Sequence, residues 1–406
     1  MKRRLYAALA MLAVCVRASV APASLIENNT DLSAEWTRMP ARVAATDSVD
    51  AVLYNPAGAV RLGEGTYIWV SNQIMPKSFT HSKGGVEHET TTTTWAVPGL
   101  FVMKNGKRWS LFSGATVIGG GGTLNYDNGI ILDKASGLTA TQLAGLVATR
   151  GKAPGPILPE EVTSAWLGGY AGGAFAVNAK LSLSLVGRVV SGSREYKIDG
   201  GNMLDYDTSG TGFAPIIGFN YTPGPSWNIG FRHEFRTKVK WDVDTMKGSL
   251  APAFARQLGS EGDTYRKDFP AMTALGVAWK ASEALTLASD FNYIWHEEVN
   301  WEGDEDDLDN TFEASLAAEY ALSETVKISC GYSFAESGIG KEDYSPTLSK
   351  NTFHGISAGF MAAPSPGLRF NVGVTKFFYM DETDSHDVTY EKDLWIIGTG
   401  MQYTFR

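Results

Sequence analysis

The chain has almost no cysteine: Cys15 and Cys330 are the two among 406 residues. Cys15 falls in a leader that reads as removable, so Cys330 stands alone and no intrachain disulfide can brace the fold. Long apolar runs are missing as well. After residue 16 nothing approaches the roughly 18 consecutive apolar residues of a membrane helix, which excludes a helical membrane protein. Basic charge is in deficit, with 35 Lys and Arg against 44 Asp and Glu and a formal net charge of −9. Such acidity argues against nucleic acid as a partner. Compact catalytic signatures are absent too. The six histidines lie in no HExxH or GxSxG context, and Gly119-Gly120-Gly121-Gly122 lacks the Lys-Ser/Thr of a phosphate loop.

What is there begins with an export pattern. Lys2-Arg3-Arg4 precedes an apolar run over 5–16 and a small-residue site at Ala21-Pro22-Ala23, the parts of a secretory signal over residues 1–23. Leu12-Ala13-Val14-Cys15 offers a lipoprotein alternative, opposed by the bulk of Val14 and by Arg17. Removing the signal's four basic residues takes the formal charge from −9 to −13.

From Gly65 onwards apolar and polar residues alternate. Ile229, Phe231, Phe235, Val239 and Trp241 fall on one face of an extended strand, and Arg232, Glu234, Arg236, Lys238 and Lys240 on the other. The same dyad recurs in segments rich in Val, Ile, Phe, Tyr, Trp and Thr: 65–80, 89–104, 107–118, 164–177, 180–198, 207–222, 226–243, 265–280, 283–301, 309–321, 325–337, 349–362, 367–380 and 393–406. About 14 strands, with no helical pattern to cover their apolar faces, predict an all-β protein, a transmembrane antiparallel barrel with its apolar side in lipid.

The connections alternate in the same sense. Short turns at 105–106, 178–179, 223–225, 281–282, 322–324 and 363–366 interleave with longer polar stretches at 81–88, 119–163, 199–206, 244–264, 302–308, 338–348 and 381–392. In bacterial barrels the short turns lie on the periplasmic rim and the long loops outside. Faces follow within strands. Leu183, Leu185 and Val189 oppose Ser182, Ser184, Arg188 and Arg194; Leu287, Phe291 and Trp295 oppose Asp290, Asn292 and His296; Ile328, Cys330 and Tyr332 oppose Lys327, Ser329 and Ser333. The first set in each is expected in lipid, with Cys330 a small apolar filler.

Residues 24–64 do not alternate, yet Trp36, Val43, Val49, Val52, Leu53 and Tyr54 give them too much apolar content for a disordered tail. The run from Asn29 to Trp36, and Asp50-Ala51-Val52-Leu53-Tyr54-Asn55-Pro56-Ala57-Gly58 just before the first strand, resemble the hatch of the FadL-type hydrophobic-compound transporters. Asn55, Pro56 and Ala57 match that family's NPA signature, and Gly58 is expected to permit a tight reversal after Pro56. The resemblance implies a signal at 1–23, a hatch at 24–64 and a barrel at 65–406. It implies passive uptake of apolar molecules across the bacterial outer membrane, by a monomer among membrane lipid and surface glycolipid, with no cofactor, metal or catalysis. It further implies escape through a gap beside a kinked third strand, for which Gly119, Gly120, Gly121 and Gly122 are the candidates. Their plainer meaning is a flexible linker.

Two stretches, around Leu138 to Val147 and at Leu250, Phe254 and Leu258, would put apolar stripes on outer loops for capture. Here the chain departs from fatty-acid members, whose long groove loop follows the fifth strand. Arg194 and Lys197 are the candidates for holding a ligand carboxylate, and the absence of Lys or Arg between Trp301 and Lys327 leaves uncharged hydrocarbons or aromatics open. Arg188, Arg232, Glu234, Arg236, Lys238 and Lys240 form a candidate luminal charge network, expected to pair with acidic residues on the wall and hatch, such as Asp47 and Asp50, rather than to line a wet lumen. The acidic run at 304–309 reads as a solvated loop, without EF-hand spacing. Rival readings are a general porin for polar solutes and a barrel lipid hydrolase.

Overall fold

The computed structural model describes residues 33–127, 129, 160–302, 308–338, 351–384 and 387–405. The signal segment, Leu138 to Val147, most of the acidic run and His386 lie outside them. Seventeen strand segments form one antiparallel sheet, labelled in chain order: β1 Gly65–Lys83, β2 Val86–Asn105, β3 Trp109–Tyr126, β4 Glu160–Ala176, β5 Leu181–Ile198, β6 Leu204–Gly224, β7 Trp227–Glu234, β8 Lys238–Lys247, β9 Thr264–Arg266, β10 Ala271–Lys280, β11 Leu285–Trp295, β12 Thr311–Ala321, β13 Val326–Ala335, β14 Phe353–Ser365, β15 Leu368–Tyr379, β16 Glu382–Thr383 and β17 Thr389–Phe405. β7 continues into β8 and β9 into β10, while the two-residue β16 only edges β17, so the wall has fourteen staves. β1 pairs with both β2 and β17, which closes the barrel.

Closure needs an outer face that tolerates lipid and an inner face that can be filled, and the alternation supplies both. Leu183, Leu185, Val189, Phe291, Ile328 and Tyr332 point outward and exposed, whereas Ser182, Arg188, Asp290, Ser329 and Ser333 are buried inside. Cys330 is exposed on the outer set. Beside the tight turns, Trp109, Phe175, Trp227, Trp279, Tyr320 and Tyr403 ring the outer face, with Trp227 and Trp279 stacked at 5.6 Å between centroids. Such a girdle marks where a barrel wall meets a membrane interface.

The seventh stave corrects the face assignment. Between the pairs Ile216↔Glu234 and Phe213↔Lys238, β6 has two residues where the β7–β8 stave has three, Phe235, Arg236 and Thr237. One extra residue reverses side-chain parity. Arg232 and Glu234 are luminal as expected, but Val239 and Trp241 are buried in the lumen and Lys238 and Lys240 are exposed outside. Two connections differ as well. The 81–88 stretch is no loop, because β1 and β2 continue to a two-residue turn at Gly84 and Gly85, both with positive φ. The Leu250–Leu258 stripe belongs to helix α3, Ala251–Leu258, whose Phe254 is buried on Ile198, Leu204, Tyr206 and Val243 rather than displayed.

Inside the lumen lie two short helices, α1 Ala34–Arg38 and α2 Ala51–Tyr54, followed by a 3-10 turn, Pro56–Arg61. Ser33 starts α1 by accepting from the Trp36 amide at 2.9 Å. A plug this small has no core of its own, so its apolar side chains pack on the wall. Val49, Val52, Leu53 and Tyr54 share one cluster with Trp69, Phe101, Phe112, Tyr170 and Ile216.

Candidate functional site

The plug is tied to the wall by hydrogen bonds from nearly every side. Asn105 on β2 donates to the carbonyls of Ala59 and Leu62, Ser182 on β5 to Ala57, Asn228 on β7 to Ala44, and Thr375 on β15 to Thr37. Asp290 on β11 accepts from the Val43 amide at 2.8 Å, and Gln402 on β17 accepts from Val49 at 2.9 Å. Loop backbone buried in a lumen needs such partners, and the wall's inward polar residues supply them.

Charge is satisfied in two separate groups. In the plug, the buried Arg42 guanidinium spans both oxygens of Asp50, at 2.9 and 2.8 Å, and reaches Asp47 at 2.8 Å. Arg38 donates to Glu319 at 2.6 Å, to Asn371 at 2.9 Å and to Ser329 at 3.1 Å, while Lys327 bridges Glu319 and Asp47 at 2.7 and 3.5 Å. On the wall, Arg188 and Arg232 share Glu234, and Arg188 also donates to Thr237 at 2.9 Å. Asp47 and Asp50 are thus neutralised by Arg42 and Lys327, not by the seventh stave as expected. Arg236 turns to Asp268 and the Glu298 carbonyl, and Lys240 to Asp242 on the outside.

The NPA segment is a packing device. Asn55 donates to the Val43 carbonyl at 2.9 Å and to Asn220 at 3.2 Å, joining both halves of the plug to β6. Pro56 opens the 3-10 turn. Gly58 is required by closeness rather than by a reversal: its φ is not positive, and a Cβ there would lie 2.1 Å from Thr46 Cγ2.

Above the plug is a cavity lined mainly by apolar side chains. Trp36 and Pro40 of the plug line it, together with the aromatic side chains of Phe353, Phe377 and Tyr379. Phe353 meets Phe377 edge-on at 4.6 Å and Tyr379 at 5.4 Å, and Trp36 lies 6.4 Å from Phe377. Sequence reasoning missed these residues. Their signal was Phe377-Phe378-Tyr379, where aromatic side chains in unbroken succession put large rings on the luminal face as well as the outer one.

The cavity reaches the wall at Ala96, Val97, Val117, Gly119, Gly120 and Gly122. There the ladder between β2 and β3 ends. It runs from Asn105↔Ser110 to Gly99↔Thr116 and is not continued, although both strands extend well beyond it. Each strand is also bulged at this level. β2 has an extra residue between the partners of Gln73 and Met75, with Trp95 and Ala96 against Ile74 alone, and there Asn72 accepts from the Val97 amide at 3.0 Å and donates to the Trp95 carbonyl at 3.2 Å. β3 shifts register against β4 twice, between Val117 and Gly119 and between Gly120 and Gly122. Pro98, which has no N–H to give, sits where the ladder stops. Gly120 is required by its φ of 82° and because a Cβ would lie 2.4 Å from the Ser164 carbonyl oxygen. The four glycines therefore lie within β3 rather than after it. The gap closes again higher up, where Thr90 accepts from the Asn125 amide at 3.1 Å.

Arg194 and Lys197 are not brought together. Three residues apart on β5, they leave from opposite faces, and Lys197 pairs with Glu195. Neither lines the cavity.

No protein-family description matches the chain, and no curated protein matches its sequence. Solved structures do resemble it. A FadL homologue from Pseudomonas aeruginosa superposes with a TM-score of 0.68 at 12% identity, over 95% of this chain and 100% of that one. The toluene transporter TodX of Pseudomonas putida gives 0.63 at 13% identity, over 88% of this chain and 94% of that one. The toluene transporter TbuX of Ralstonia pickettii gives 0.66 at 13%, over 93% and 100%. The chain has the fold of the FadL-type channels.

Proposed function

We propose that this protein is an outer-membrane channel for passive uptake of hydrophobic compounds, which enter from outside, rest in the aromatic cavity above the plug and leave sideways between β2 and β3. The observation that carries this reading is the continuity of the cavity with the unpaired stretch of wall. A water-filled porin has no use for an apolar chamber above a plug fastened on all sides. A route through the wall, by contrast, delivers an apolar molecule into lipid without passing the plug's buried charges. Two of the similar structures are toluene transporters, which supports the same cargo class.

The test is to fill the gap without straining it. Gly120 is unsuitable, because its positive φ and the nearby Ser164 carbonyl make any side chain disruptive. Ala96, at the β2 bulge and half-buried, is the better position. Ala96→Trp is expected to cut uptake of an apolar substrate such as toluene by cells at least several-fold while the folded barrel persists at normal level in the outer membrane. Unchanged uptake by the folded variant would refute lateral exit.

A further inference from the structure

The cavity carries a polar patch that a chamber for pure hydrocarbon does not need. Among the described lining residues there is no Lys, Arg or His, and the one carboxyl group is Glu313. Asn292, opposite it on β11 in the β11–β12 register, donates its amide nitrogen to Glu313 Oε2 at 3.3 Å. That bond fixes the amide orientation, since an acceptor-only carboxylate cannot face the amide oxygen. Asn292 Oδ1 is consequently turned away, buried and without a hydrogen-bond partner. Ser333 Oγ, on a buried residue of the same lining, also lacks one. Buried acceptors left unpaired are costly, and they are retained where a ligand supplies the missing donor.

Resting on the channel reading above, we infer that Glu313, Asn292 and Ser333 form a polar subsite selecting apolar aromatic cargo that bears a hydrogen-bond donor, a phenol, over plain hydrocarbons and over carboxylates. The ring is held by the aromatic wall of Trp36, Phe353, Phe377 and Tyr379, and the hydroxyl donates to the Glu313–Asn292 pair. A carboxylate cargo has acceptors only, brings a second negative charge beside Glu313 and finds no Lys, Arg or His among the described lining residues. A plain hydrocarbon fills the chamber but leaves the Asn292 oxygen unpaired.

The experiment measures binding of 4-ethylphenol, ethylbenzene and 4-ethylbenzoate to the full chain in lipid nanodiscs at pH 7, by titration calorimetry corrected for partition into empty discs. The phenol is expected to bind at least tenfold more tightly than ethylbenzene, with ethylbenzoate weakest, because a donor reaching a charged acceptor is among the stronger hydrogen bonds. Glu313→Gln is expected to shrink the phenol's advantage several-fold and to raise ethylbenzoate binding. Asn292→Leu serves the same purpose if the first variant fails to fold. Equal binding of phenol and hydrocarbon, preference for the benzoate, or an order unchanged in the variants would overturn the subsite. A separate control isolates the channel reading. Ala335→Trp, which fills the cavity, is expected to weaken all three ligands. If it weakens none, binding lies elsewhere and the chamber itself is refuted.

Discussion

Arg38 gives the sharpest test of how the plug is held. Its side chain is 1% exposed and its partner Glu319 7%. Arg38→Met keeps the length and apolar stem but removes the bonds to Glu319, Asn371 and Ser329. Breaking a buried pair by deleting one partner typically costs about 3–5 kcal/mol, because the other charge is stranded. Here the loss belongs at the lower end, near ~3 kcal/mol, since Lys327 remains 2.7 Å from Glu319. At roughly 1.4 kcal/mol per factor of ten, the undocked plug then becomes about 150-fold more populated. Two readouts report this: more frequent open events in planar bilayers, and faster hydrogen exchange at the Thr37 and Met39 amides, which bond within α1. The double variant Arg38→Met, Glu319→Gln removes the stranded charge and leaves Lys327 with Asp47, so it is expected to recover most of the loss. Conductance and exchange unchanged in the single variant, or a double variant worse than the sum of its parts, would refute the argument that this pair fastens the plug.

Two further outcomes follow from the same structure. Burial, and then the Asp50 carboxylate, push Glu35 from 4.5 up to about 7, so the plug binds this proton more tightly docked than unfolded. The part of docking that Glu35 contributes is therefore fully present below about pH 4.5, falls as pH rises towards 7 and is gone above it. Plug hydrogen exchange followed from pH 4 to 8 should be less steep in Glu35→Gln than in the parent. The reversed face of β8 predicts an asymmetry between neighbours. Lys240→Leu should fold normally as judged by heat-modifiable migration, whereas Val239→Lys, which puts an unpaired charge among Trp241, Trp166 and Phe269, should prevent folding.

Closed walls and their turns are written locally, which is why the barrel was legible. Alternation such as Leu183, Leu185 and Val189 against Ser182 and Arg188 needs no knowledge of distant residues, and tight turns such as Asn105-Gly106 announce themselves. The plug was legible by contrast, as an apolar segment that fails to alternate and so has no place in the wall. Reasoning from the periodic pattern failed at the seventh stave because its own sequence alternates across the break. The extra residue is visible only against β6, whose Ala214 and Pro215 face three residues rather than two.

The sequence by itself determined which segments form the barrel wall, which way most of their side chains face and which segment fills the lumen, because a strand's two faces are set by neighbours one and two residues away. Tertiary structure decided the rest. That Arg38 answers Glu319 and Arg188 answers Glu234, that the β2–β3 ladder stops at Gly99 and Thr116, and that Glu313, Asn292 and Ser333 meet in one chamber all depend on which strands lie side by side and in what register. Those are distances between residues tens to hundreds of positions apart, fixed only when β1 meets β17 and the wall closes around the plug.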